Sequence, residues 1–190
     1  VRDLNTGLDY QLHYDALVLS PGAAPIVPPI PGAERGLVLR DIEDLDRMVG
    51  ELAKAQNVVV VGGGFIGLAA AENLKEAGLE VTLVELGDQL LAPLDPEMAM
   101  PLERELRRHG VKVELGHSVV EIEAGTATLD DGRTVNADLV VFAIGVRPDG
   151  RLAADAGLAL GPRGGIVVDD EQRTNDAAIW AVGDAVEKVD

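Results

Sequence analysis

Gly62, Gly64 and Gly67 stand in the run NVVVVGGGFIG, Asn57 to Gly67, between an apolar stretch and a helical pattern. That spacing is what a main chain needs to wrap a diphosphate. The first glycine permits a tight turn, the second lets backbone approach the phosphates, and the third lets the helix pack close to the strand. The helix start then offers free amide donors and a partial positive charge, so an acidic chain can still hold an anionic ligand. Gly63, Phe65 and Ile66 fall in the same turn and complete the candidate cofactor-binding set around it.

Glu85 lies 23 residues past Gly62, at the end of the next apolar run. A carboxylate there can accept hydrogen bonds from ribose hydroxyls and repel a 2′-phosphate. Leu86 to Ala92 contains no Arg or Lys to pair with such a phosphate. The pattern therefore favours NAD(H) over NADP(H). A plain glycine turn and a solvated acid at a strand end are the structural alternatives.

These residues need strands and helices to position them. Asn57–Val61, Val81–Val84 and Asp138–Ala143 are continuous apolar runs that predict strands buried on both faces, as does Ala16–Leu19. Leu45, Met48, Val49 and Leu52 recur at helical spacing, Phe65–Ala77 reads as a helix stopped by Gly78, and Asp95-Pro96-Glu97 opens another that runs to Arg108. This strand–helix alternation predicts an α/β fold: a Rossmann-like parallel sheet with helices on both faces. Val111–Asn136, broken by Gly116, Gly125 and Asp131-Gly132, predicts an antiparallel β excursion, and Val1–Tyr14 a hairpin. Pro21, Pro25, Pro28, Pro29 and Pro31 mark an extended first boundary; Gly161, Pro162, Gly164 and Gly165 mark a second linker.

Composition excludes several functions. The chain has 190 residues, of which 47% are hydrophobic and 26% charged, enough apolar material to bury a core. Its 16 Lys and Arg against 33 Asp and Glu leave a net charge of −17, which opposes binding to nucleic acid or an anionic membrane. With no cysteine it has no disulfide framework, thiolate metal site or thiol nucleophile of its own. No apolar run reaches bilayer length, and Arg2-Asp3 does not open a signal peptide, so a soluble, cytoplasmic protein is expected. The start at Val1 and the stop after a strand-like run raise the expectation of an internal piece of a longer chain.

Four stretches, YDALVLSPGA (Tyr14–Ala23), GGGFIG, DLVVFAIGVRP (Asp138–Pro148) and TNDAAIWAVGD (Thr174–Asp184), occur in order along the chain. Together they resemble the middle of a flavin-dependent pyridine nucleotide-disulfide oxidoreductase, closest to the coenzyme A-disulfide and persulfide reductases and NADH oxidases. The resemblance implies that residues 1–35 end a first FAD-domain segment, 36–161 form an NAD(H)-binding domain, and 162–190 return to the FAD domain. It implies that Asp184 meets the flavin ribityl chain beside Gly183, that Gly145 lies in a loop next to NAD, and that Phe65 lies between nicotinamide and flavin. Relatives usually carry Glu shortly after the last glycine of the turn, where this chain has Ala69.

The resemblance further implies FAD in the full-length parent, with its main phosphate site and redox cysteine upstream and a dimerisation domain downstream. The parent would pass hydride from NADH to flavin and on to a disulfide or persulfide, while this stretch alone binds NAD(H) and catalyses nothing. The small-molecule nucleotide is then the partner. A non-catalytic nucleotide-binding module and a ferredoxin or rubredoxin reductase of the same superfamily stand as alternatives. No metal site is expected: His13, His109 and His117 look isolated, and Ser20 lacks a nucleophile elbow. Asp41, Glu43, Asp44 and Asp46 read as a solvated helix face, and Trp180 as core.

Overall fold

A computed structural model describes residues 1–188. In chain order the first strands are β1 (Leu17–Leu19), β2 (Ala23–Pro25), β3 (Leu37–Val38), β4 (Asn57–Val61), β5 (Glu80–Glu85) and β6 (Lys112–Leu115). There follow β7 (Val119–Glu123), β8 (Gly125–Leu129), β9 (Thr134–Ala137), β10 (Leu139–Phe142), β11 (Val146–Pro148), β12 (Ile166–Val167), β13 (Ile179–Ala181) and β14 (Val186–Glu187). The helices are α1 (Ile42–Leu52), α2 (Phe65–Glu76), α3 (Pro96–Arg108) and the short α4 (Arg151–Asp155). The chain divides into two compact units: Pro25–Val146, and Val1–Ala24 together with the chain from Arg147 onward.

The Pro25–Val146 unit is built on a five-stranded sheet in the order β3-β10-β4-β5-β6, parallel throughout. Successive side chains of a strand point to opposite faces, and the valines of β4 show it. Val58 and Val60 pack with Val81, Leu83, Leu139 and Val141 against Met48 of α1, Ala70, Ala71 and Leu74 of α2, and Leu106 of α3. Val59 and Val61 face the other way, with Val84, Val140 and Phe142, onto Ile122, Ala127, Leu129 and Ala137.

The second face is thus covered by the antiparallel sheet β7-β8-β9, where the sequence reading expected further helices. The handedness of the connections explains this. β3→β4, β4→β5 and β5→β6 all advance across the sheet in one direction, so right-handed crossovers place α1, α2 and α3 on one side. The return from β6 to β10 runs the opposite way, and its connection, the β7–β9 meander, lands on the opposite face. The meander is shorter than expected, because β6 belongs to the parallel sheet as its edge strand.

Local signals set the helix ends. Asp41 caps α1 by accepting the Asp44 N–H at 2.9 Å. Asp44 is itself buried, accepting the Arg40 N–H at 3.0 Å and pairing with Arg47, so it does not belong to a solvated acidic face. Leu45 and Val49 are exposed in its place, a rotation of the helix that its apolar spacing does not reveal. Gly78, at φ +90°, ends α2 as expected.

In the other unit, β1 pairs in parallel with β13, Leu17 opposite Ile179 and Leu19 opposite Ala181. The two segments are neighbours although about 160 residues separate them in sequence. Their small core joins Leu19, Ile179 and Ala181 to Ala153, Leu158 and Ile166. Val18 is exposed and Trp180 half-buried, so these strands are not covered on both faces among the described residues. Arg2 and Asp9 close the expected N-terminal hairpin with a two-point ion pair at 2.8 and 2.9 Å. The glycine-rich stretch Gly161–Gly165 is no linker. It cups the buried carboxylate of Glu187, which accepts the N–H groups of Arg163 at 3.1 Å and Gly165 at 3.2 Å. No helix among the described residues is long and apolar enough to cross a membrane.

Candidate functional site

The carboxyl ends of a parallel sheet are where α/β folds bind ligands, and the candidate residues gather there. A cleft of about 720 Å³ is lined by Gly62, Gly63, Gly64, Phe65, Ile66, Glu85 and Gly145, with Leu86, His117 and Ser118 closing one side. Four strand ends contribute: β4 leads into the glycine turn, β5 ends in Glu85, β6 is followed by His117, and β10 by Gly145.

Each glycine of the turn has a separate reason to lack a side chain. Gly62 adopts φ +110°, and a Cβ on it would sit 2.4 Å from the Ala143 carbonyl oxygen. A Cβ on Gly67 would lie 1.9 Å from the Gly62 oxygen, so bare backbone is what seats α2 against the turn. At Gly63 it would meet Leu90 at 2.7 Å. Gly64 differs: its φ is −81° and nothing lies within 4 Å of a Cβ built there. Steric crowding inside the protein therefore accounts for three of the glycines, while the fourth faces open space in the cleft.

The start of α2 has no side-chain cap and no acid in its first turn, so its amide donors and partial charge stay uncompensated. Beside it, Glu85 is half-buried. One carboxylate oxygen accepts the Gly63 N–H at 2.5 Å and the other the Gly87 N–H at 2.7 Å. The acid is thereby aimed at the glycine turn, and each oxygen keeps a second lone pair for another donor. Phe65 and Ile66 project outward; Phe65 is 72% exposed, so it is not a core aromatic. Ala69, one turn further along α2, is exposed as well.

Gly145, at φ +106°, accepts the Ile26 N–H through its carbonyl at 3.0 Å and lines the same cleft. Gly183 and Asp184 belong to the other unit, at the end of β13. Both are exposed, Gly183 has φ +80°, and a Cβ on it would lie 3.6 Å from the Ser20 hydroxyl oxygen.

Two histidines are less isolated than the sequence implied. His109 Nδ1 lies 3.0 Å from the Glu105 carbonyl oxygen. His117 Nδ1 lies 2.9 Å from Asp130 Oδ1, and its Nε2 lies 3.8 Å from Asp131 Oδ2. The His117, Asp130 and Asp131 ligand atoms are close enough together to hold a cation. Asp131, however, is already engaged by the Arg133 guanidinium at 2.6 Å. Nothing in the sequence spacing joins His117 to Asp130; the β7–β8 fold-back does.

The fold and the turn define a dinucleotide-type α/β protein, and comparison with known proteins makes the class specific. The family model for pyridine nucleotide-disulphide oxidoreductases matches residues 1–190, and the chain belongs to that family. It is 38% identical over 190 residues to the nitrite reductase [NAD(P)H] large subunit of Klebsiella oxytoca, covering 96% of this chain and 20% of that protein. Reduced CoADR-RHD of Bacillus anthracis superposes with a TM-score of 0.94 at 41% identity, over 97% of this chain and 34% of the other. The NAD-dependent persulfide reductase of A. fulgidus gives 0.87 at 41% identity, over 92% and 34%. The chain spans 20% of the length of that nitrite reductase subunit and 48% of the nitric oxide reductase FlRd-NAD(+) reductase of Klebsiella pneumoniae.

Proposed function

We propose that this chain supplies the NAD(H)-binding part of an FAD-dependent oxidoreductase whose final acceptor is a disulfide or persulfide. The observation that carries the reading is Glu85, which lines the cleft while accepting the Gly63 N–H of the glycine turn. The residues fit the nucleotide on structural grounds. Gly64 leaves room for a diphosphate at the uncapped start of α2, and Glu85 offers spare acceptors to ribose hydroxyls while opposing a 2′-phosphate. Gly63, Phe65, Ile66 and Gly145 form the rest of the wall. When bound, NADH would supply a hydride for reduction of a flavin and so, in turn, the electrons for the sulfur acceptor.

In this reading Gly183 and Asp184 contribute to the FAD site, Gly183 allowing close approach and Asp184 offering an exposed carboxylate. The resemblance puts the boundaries at 35/36 and 161/162, whereas the compact units divide at 24/25 and 146/147. In this reading the Pro25–Val146 unit is the NAD(H)-binding part, Val1–Ala24 and the chain from Arg147 onward belong to the FAD domain, and the parent is a homodimer. The disulfide or persulfide assignment draws on the structural likeness to CoADR-RHD and the persulfide reductase.

Isothermal titration tests the first step: NADH should bind more tightly than NADPH, and binding of neither would sink the assignment. Anaerobic mixing of the full-length flavoprotein with NADH tests the second, since hydride transfer bleaches the flavin. A second reading, a nucleotide-binding module without catalytic duty, is favoured by Ala69, which puts a methyl group on the exposed face of α2 where relatives carry a carboxylate. A module would leave the flavin oxidised. A ferredoxin or rubredoxin reductase would bleach but pass electrons to a small redox protein.

A further inference from the structure

The strand ends that meet the cleft follow one another across the sheet: Gly145 after β10, the glycine turn after β4, Glu85 on β5, His117 after β6. With a diphosphate at the turn and a ribose at Glu85, the base attached to that ribose continues in the same direction, toward β6. His117, next to Ser118, lies on that wall of the cleft. Its backbone is fixed by its N–H, donated to the Glu85 carbonyl at 3.1 Å, and by the Gly116 N–H, donated to Gly87 at 2.8 Å. Its ring is fixed by Asp130, whose own N–H is held by the Ser118 carbonyl at 3.0 Å.

The partner sets the tautomer. The hydrogen bond from His117 holds the Asp130 carboxyl below the usual carboxylate range, and an ionised carboxylate can only accept. The proton of the neutral ring therefore sits on Nδ1, and Nε2 is left as an acceptor. The other charged groups nearby do not change this. Asp131 is 3.8 Å from Nε2, beyond hydrogen-bond reach, and is paired with Arg133, which also reaches Glu114 at 3.0 Å; Glu85 is bonded to Gly63 and Gly87.

We propose that His117, oriented by Asp130, is the base-selecting residue of the cleft, accepting a hydrogen bond from the exocyclic amino group of adenine. The inference rests on the nucleotide reading of the cleft and adds to it a preference that neither the glycine turn nor Glu85 supplies.

The test compares NADH with its hypoxanthine analogue, in which a carbonyl replaces that amino group. Both are titrated calorimetrically into the full-length protein and into the His117→Ala and Asp130→Asn variants, with thermal melts to verify folding. The wild type should prefer NADH by about three- to tenfold, the worth of one neutral hydrogen bond. The preference should fall to about one in His117→Ala, and also in Asp130→Asn, which releases the tautomer while keeping the side-chain shape. An equal preference in all three proteins, or none in the wild type, overturns the role of His117 and leaves the cleft reading standing. If the wild type binds neither dinucleotide, the cleft reading itself fails, and this inference with it.

Discussion

Gly64→Ala should separate folding from ligand binding. The backbone at Gly64, φ −81° and ψ −173°, is one that alanine adopts freely, and its Cβ would touch nothing. Alanine is a poorer N-cap than glycine by a fraction of about 1 kcal/mol, and roughly 0.4–1 kcal/mol returns from the smaller entropy of the unfolded chain. Net stability should stay within about 1 kcal/mol, a melting shift of no more than about 4 °C at this size. Binding should respond differently. A methyl group facing the cleft holds a diphosphate about 1 Å further from the α2 amides, beyond hydrogen-bond distance. Losing two charge-assisted bonds at roughly 1.5–3 kcal/mol each weakens NADH by at least about 100-fold. Gly62→Ala is the control: a positive φ costs about 1–2 kcal/mol and the clash with Ala143 about 1–3 more, lowering the melting temperature by roughly 5–20 °C. Calorimetric titration and thermal melts read both quantities. Should Gly64→Ala melt like the wild type and bind NADH within fivefold of it, the diphosphate does not pass over Gly64 and the reasoning is wrong.

Further expectations follow from single contacts. Glu85→Gln turns an amide NH₂ toward the Gly63 or Gly87 N–H and removes the charge opposing a 2′-phosphate. The NADH:NADPH affinity ratio should fall at least about tenfold in parallel titrations, one pairwise interaction of roughly 1.4 kcal/mol. Asp44→Ala removes a buried carboxylate that accepts the Arg40 N–H and pairs with Arg47, and should cost about 1.5–3 kcal/mol in urea unfolding, the worth of a hydrogen bond to a charged group. Asp138 accepts the Asn57 and Gln56 N–H groups and the Asn57 amide, which hold its carboxyl below the ordinary range. Because the folded value is depressed, its contribution is complete above the unfolded carboxylate pKa of about 4 and is lost as pH falls below it. Asp138→Asn should therefore lower stability across the neutral region, where the ionised acceptor is lost, and leave the most acidic end nearly unchanged, so that the acid limb of the stability–pH curve is flatter.

Much of the site was legible because it is written in adjacent residues. The glycine turn, the valines of β4 and the start of α2 are contiguous, and three of the four glycines answer a local steric demand. Glu85 was legible because the length of α2 and β5 dictates where the next strand ends. What escaped depends on which distant segment comes alongside. Asp44 looks like surface until Arg40 and Arg47 close over it, and Gly161–Gly165 looks like a linker until Glu187 arrives 22 residues later to fill it. His117 seemed alone because its carboxylate partner is brought near by a hairpin. The placement of all three long helices on one face follows from the order of the strands, which short-range periodicity does not encode.

The pairing of β1 with β13 also sets a timetable. Leu17 leaves the ribosome about 160 residues ahead of Ile179, which at 5–20 residues per second is roughly 8–30 s. Through that interval β1 waits for β13, whereas the last strand of the five-stranded sheet, β10, has emerged by Phe142, before Ile179 is made. Synthesis from one end therefore favours an order of assembly in which the interrupting unit matures first and the interrupted one closes around its last strands.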